Sequence, residues 1–269
     1  LEEAVAPSMG KGEEDYFTRY MEDYGYDDVF LIHPGGEIFY TVAKEADYNT
    51  NILNGPYADS SLGEAVQEAL ASEGFAFGDF RPYEPSGGVP SAFIAEPMVE
   101  DGEVQLVVAL QMPLGELNAI MQERSGMGET GETYLVGPEN LMRSDSFLDP
   151  ENRSVKASFA NPETGSVETE ATRSVFNGES DARAITDYTG STVLSAFTPV
   201  EVYDTTWALL AEIDQSEVFI PIRELGISIL IVAAVIAILV AVVALYVANM
   251  IAKPLVQGVS FAEEVAKIG

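Results

Sequence analysis

The sequence predicts an α+β protein of two tandem modules, each built on one five-stranded antiparallel sheet, followed by one transmembrane helix. Three observations carry this expectation. Residues 225–252 hold no charged side chain, and a helix of that length, rising about 1.5 Å per residue, outreaches a hydrocarbon core of about 30 Å. The stretch ahead of it repeats itself weakly. Phe30-Leu31-Ile32-His33-Pro34 aligns with Tyr134-Leu135-Val136-Gly137-Pro138, Glu96-Pro97-Met98 with Thr198-Pro199-Val200, and the run from Val107 to Met112 with that from Ala208 to Ile213. The offset falls from 104 to 101 residues, as small loop deletions produce. Within each repeat, short apolar runs are separated by glycine- and proline-bearing turns, the mark of antiparallel strands.

The elements follow in order. Residues 13–24 read as the end of a helix, with Tyr16, Phe17, Tyr20 and Met21 as its packed stripe. Residues 29–32 and 37–42 read as strands joined by Pro34-Gly35-Gly36, whose glycines accept positive φ. A polar connection, 46–62, leads to a short helix at 63–71 with apolar spacing at Ala65, Val66, Ala69 and Leu70. Three strands follow at 75–83, 92–98 and 104–111. Residues 115–124 read as a helix between the repeats. The second repeat offers strands at 133–136, 141–144, 182–188, 193–200 and 206–213, with a loop punctuated by Pro and Asn after the second.

The acidity is confined to one side of the apolar segment. Residues 1–224 carry 42 acids against 11 bases, whereas 253–269 carry Glu263 and Glu264 against Lys253 and Lys267. A chain of net charge −31 has no basic face for phosphates, which excludes nucleic-acid binding. The absence of cysteine excludes disulfides and thiolate metal sites. Hydrophobic content of 47% argues against disorder. The heavy acidity also resembles that of proteins from saline habitats. The lysines alone orient the apolar helix only weakly. The start at Leu1, without an export signal, and the end at Gly269 in mid-pattern are expected of a piece of a longer protein.

Catalytic chemistry is not expected. The single histidine, His33, falls beside Pro34 in the turn between the first two strands, and without cysteine no usual transition-metal set assembles. The acidic runs lack the spacing of a calcium-binding loop. Gly126-x-Gly128-x-x-Gly131 precedes a strand, the wrong order for a nucleotide-cradling turn. No cofactor is expected.

Two strings resemble a known family. The run Gly126-Met127-Gly128-Glu129-Thr130-Gly131-Glu132-Thr133-Tyr134-Leu135-Val136-Gly137-Pro138, followed by Leu141-Met142-Arg143-Ser144-Asp145, is similar to the start of the membrane-proximal Cache module of methyl-accepting chemotaxis proteins. The run from Pro254 to Ala266 is similar to the first helix of a HAMP linker. The chain therefore resembles the double-Cache, or tandem PAS-like, sensor region of a bacterial chemoreceptor. The resemblance implies the following order: 1–24 the end of an N-terminal helix, 25–114 a membrane-distal Cache module, 115–131 a linker helix and loop, 132–224 a membrane-proximal Cache module, 225–252 the second transmembrane helix, and 253–269 the start of HAMP. It also implies a homodimer in the inner membrane, with its sensor part periplasmic or extracellular, passing motion to cytoplasmic signalling proteins. Alternatives are an accessory membrane subunit with a Cache ectodomain, or the sensor of a histidine kinase or nucleotide cyclase.

A ligand is expected between the distal sheet and the connection after its second strand, in a concave apolar site with a few polar groups. Period two on residues 75–83 puts Phe77, Asp79, Arg81 and Tyr83 on one face. Asp79 or Arg81 would pair a charged ligand group, with Phe93 as a wall and Tyr57 closing from the loop. The competing reading makes Asp79 and Arg81 a solvated surface pair. The loop supplies Tyr48 and Tyr57 but no arginine, a departure from the amino-acid-binding members. The proximal module offers Tyr134, Arg143, Asp145, Asp187 and Tyr188, with Arg143 and Asp145 read as an ion pair fixing a turn. The acidic field favours a cationic or zwitterionic ligand.

Overall fold

The structure, a computed structural model, describes residues 11–268. Residues 11–217 form one compact unit and 218–268 lie in a second. The first unit opens with helix α1 (Lys11–Tyr24), followed by β1 (Asp28–Ile32) and β2 (Ile38–Thr41). After a long connection come α2 (Ser61–Ser72), β3 (Ala76–Tyr83), β4 (Val89–Glu100) and β5 (Glu103–Gln111). These five strands form the expected five-stranded antiparallel sheet, and its order is β2-β1-β5-β4-β3. Helix α2 starts where Ser60 Oγ accepts the Gly63 amide, and it ends as Glu73 turns into the left-handed region. Its stripe of Leu62, Ala65, Val66 and Ala69 is buried against the sheet with Phe30, Ile32, Ile38, Phe93 and Val107. The approach is close because Gly78 has no side chain: a Cβ there would sit 2.0 Å from the Ser61 carbonyl oxygen.

Helix α3 (Leu114–Met121) leads into the second lobe. Its sheet comprises β6 (Glu132–Val136), β7 (Asp181–Thr186), β8 (Thr192–Val202) and β9 (Thr205–Asp214), in the order β6-β9-β8-β7. A fifth strand at 141–144 is not formed, and that segment contributes only the isolated bridge between Met142 and Val136. The backbone pairing stops there because side chains take the next bonds. Leu135 N donates to Ser144 Oγ at 2.9 Å and Met142 N to Ser158 Oγ at 3.1 Å. The expected loop is instead folded into four short helices: α4 (Pro150–Arg153), α5 (Val155–Ala160), α6 (Pro162–Gly165) and α7 (Glu170–Phe176). Ser154 and Thr169 cap α5 and α7, and Thr169 with Thr172 forms a reciprocal capping box.

The second core is not confined to its own lobe. Phe77, Phe80 and Ala92 of the first sheet belong to the cluster formed by Tyr134, Val136, Met142, Phe197, Trp207 and Leu210. A bulge in β3 between Gly78 and Arg81 makes this possible. It breaks the strict alternation, so β3 serves one core at Phe77 and Phe80 and the other at Tyr83.

The chain leaves β9 through α8 (Gln215–Val218). In the second unit, α9 (Ile220–Val247) is apolar and long enough to cross a bilayer, and none of its side chains is buried. It continues through a π-helical turn (Ala248–Ala252) into α10 (Lys253–Ala266). The wide turn is closed by Lys253 N donating to the Ala248 carbonyl, directly before Pro254, which has no amide hydrogen to give.

Candidate functional site

Where the 46–62 connection folds over the first sheet, it carries Asp47 into the interior with no exposed surface. Tyr83, also fully buried, donates its hydroxyl to Asp47 Oδ2 at 2.5 Å. Among the described residues, Asp47 Oδ1 is buried with no hydrogen-bond partner. Two more carboxylates stand close enough to raise the Asp47 proton affinity, Asp28 and Glu45. Burial is the larger cause, and the Tyr83 hydroxyl acts against it. Asp28 is a structural clasp: its Oδ1 accepts the amides of Val29, Val42 and Ala43, and its Oδ2 accepts the Thr41 hydroxyl. Glu45 accepts Ser86 Oγ at 2.7 Å, and Gln111 donates to Ser91 Oγ at 3.0 Å. Aromatic rings back the cluster, with Tyr83 4.9 Å from Phe93 and 6.4 Å from Tyr57, centroid to centroid.

Of the six residues expected to line one site, the structure gathers Tyr57, Tyr83 and Phe93 here and sends the other three elsewhere. Phe77 packs in the second core. Arg81 is half exposed and pairs with Glu64 at 2.8 Å, outside the cluster. Asp79 forms a bidentate pair with Arg143 of the second lobe, at 2.9 and 2.7 Å. The β3 bulge causes the split, and Asp79 caps it by accepting the Phe80 amide at 2.7 Å. The solvated Asp79–Arg81 pair of the competing reading is not made either. A cleft of about 500 Å³ lies beside the inter-lobe pair, bordered by Phe77, Asp79, Arg81, Glu139, Arg143 and Phe159. The charged groups on its border are already bonded within the protein, Arg143 to Asp79 and Glu139, and Arg81 to Glu64.

The second lobe carries its own polar interior. Glu132 and Glu212 are cross-strand neighbours, both buried. Glu132 accepts the hydroxyls of Tyr188 and Ser146 and the amides of Phe147 and Leu148. Glu212 accepts the Tyr134 hydroxyl at 2.7 Å, and its proton affinity is raised by burial. Arg143 does not pair with Asp145. Asp145 instead caps α5 by accepting the Val155 amide at 2.7 Å. Asp187 closes the turn before β8 through the amides of Thr189 and Ser191.

Asp28, Asp47 and Glu212 all bind a proton more tightly folded than unfolded. Between the ordinary carboxylate range and each raised value, the folded state therefore holds more protons than the unfolded one, and stability falls as pH rises. The urea midpoint of the chain in detergent micelles is expected to decline across that window, with a shallower decline in Asp47→Asn. An identical slope in the variant would show that Asp47 titrates as it does in the unfolded chain.

No protein-family model and no curated protein sequence matches the chain. Solved structures share its fold. The periplasmic sensory domain of the Campylobacter jejuni chemoreceptor Tlp1 superposes with a TM-score of 0.54 at 13% identity, over 78% of this chain and 79% of that one. The ligand-binding domain of the Pseudomonas aeruginosa amino-acid chemoreceptor PctB, in complex with L-Arg, gives 0.52 at 14% identity, over 79% and 81%. The same domain with L-Gln gives 0.51 at 13% identity, over 82% and 83%. The two-lobed unit thus has the fold of chemoreceptor ligand-binding domains.

Proposed function

We propose that this chain is the sensor region of a transmembrane chemoreceptor, and that its first lobe binds a small molecule bearing a protonated amine. Asp47 carries the proposal. A buried carboxylate with one oxygen unpaired, beside two further acids, is costly when ionised and becomes favourable when a cation completes it. Tyr83 orients the carboxylate, Tyr57 and Phe93 supply the apolar wall, and Ser86, Ser91 and Gln111 offer neutral hydrogen bonds to the rest of a zwitterion. The acidic surface draws cations toward the lobe.

In this reading residues 25–114 are the membrane-distal module and 132–224 the proximal one. The 225–252 segment crosses the membrane with both modules outside, and 253–269 begin a HAMP linker. A homodimer then relays ligand binding to cytoplasmic signalling proteins. The ligand drives the helix only through different affinities for its two positions. The shared fold, the apolar α9 and the proline-led α10 support this arrangement.

The test is a thermal-shift comparison of the full chain in detergent micelles. Ethanolamine and L-alanine are expected to raise the melting temperature, while acetate and succinate leave it unchanged. At 100 times the dissociation constant the stabilisation is about 2.7 kcal/mol. Asp47→Asn is expected to lose the response. Equal shifts with acetate, no shift with either amine, or an undiminished response in Asp47→Asn would each overturn the assignment.

A further inference from the structure

We infer that Asp79, Arg143 and Trp207 form the joint through which the two lobes behave as one cooperative body, with β3 tying that joint to the Asp47 cluster. Arg143 belongs to the second lobe, yet its side chain is only 1% exposed and its main partner is in the first. Nε and Nη2 grip the two oxygens of Asp79, Nη2 also reaches Glu139 at 2.6 Å, and Nη1 meets the Leu141 carbonyl at 3.1 Å. The second lobe adds a further donor to the same carboxylate, Trp207 Nε1 at 3.3 Å. The indole packs between Phe77 and Phe80, its ring centroid 6.1 and 5.9 Å from theirs.

The backbone makes room for this arrangement. At Gly137, a Cβ would lie 2.2 Å from the Arg143 guanidinium carbon, so the side chain lies flat against a residue that has none. The planar fork then meets a carboxylate in one geometry only. Such a pair adds little net stability over an apolar contact, but losing one partner while the other stays buried is costly. Parting the lobes at this joint breaks the fork and exposes the contact of Trp207 with Phe77 and Phe80 together, which ties the two cores to one transition. On the first-lobe side, Asp79 lies on β3 four residues before Tyr83, the residue that holds Asp47. One strand thus connects the buried acid cluster to the joint. The inference holds whether or not a ligand binds at Asp47, and its test uses none.

Trp207 is the only tryptophan, so its emission reports unfolding on the second-lobe side of the joint. Amide hydrogen exchange in α2 reports the first core. In urea, with the full chain in detergent micelles, Val66→Ala should loosen the first core and lower the midpoint by both measures. In Asp79→Asn, Val66→Ala should still lower protection in α2 but leave the Trp207 midpoint unmoved. A merely structural role for Asp79 would lower the Trp207 midpoint without altering its response to Val66→Ala, and that result would overturn the inference. So would a parent chain whose Trp207 midpoint ignores Val66→Ala. Should Asp79→Asn fail to fold, Asp79→Glu keeps the charge while spoiling the fork geometry, and the same comparison applies.

Discussion

Arg143→Ala is expected to cost about 3–5 kcal/mol of unfolding free energy. The guanidinium is among the largest fully buried groups of the protein and holds Asp79, Glu139 and the Leu141 carbonyl together. Truncation opens a void where a large buried side chain lay, takes this donor from Glu139 and the Leu141 carbonyl, and leaves Asp79 only the Phe80 amide and the Trp207 indole. Two acids that shared one cation are also left facing each other. Arg143→Lys should recover only part of the loss, because an ammonium cannot bond both oxygens of Asp79 in the plane of the fork. Equilibrium urea unfolding measures both variants. A loss under about 1 kcal/mol for the alanine would place this contact with solvated surface pairs, contrary to its burial.

Phe93→Ala is expected to cost a similar amount, about 3–5 kcal/mol, by a different mechanism. Phe93 has no exposed surface and stands edge-on to both Phe30, at 5.9 Å, and Tyr83, at 4.9 Å. Its removal opens a cavity in the first core where α2 meets β3 and β4. It also withdraws the wall that holds the Tyr83 ring, and with it the hydrogen bond to Asp47. Phe93→Leu should restore most of the stability. Loss of stability without loss of the amine-induced thermal shift would separate the core from the Asp47 cluster.

Much of the architecture is legible because it rests on periodicity. The β1–β2 turn, the α2 stripe of Ala65, Val66 and Ala69, and the apolar helix are local patterns, and each repeats where the sequence places it. The site is less legible in the sequence for two physical reasons. The bulge between Gly78 and Arg81 shifts the alternation within β3, and nothing in Ala-Phe-Gly-Asp-Phe-Arg-Pro-Tyr separates a bulged strand from a regular one except the glycine, which has its own reason in the approach of α2. Asp47 is one acid among 44, and its burial depends on how a long connection folds back, which no spacing records. Arg143 reads as one half of a local ion pair with Asp145, but its partner lies 64 positions away in the other lobe. The missing strand at 141–144 has the same origin, since Ser144 and Ser158 supply by side chain what a ladder supplies by backbone.

The π-helical turn at Ala248–Ala252 sets a phase. Each residue of an α-helix advances about 100° around the axis, so a turn that takes in one residue more offsets the faces of α9 and α10 by about that angle relative to one unbroken α-helix. The turn therefore fixes which side of α10 follows on from a given side of α9, and Pro254, which has no amide hydrogen to give, stands directly after it.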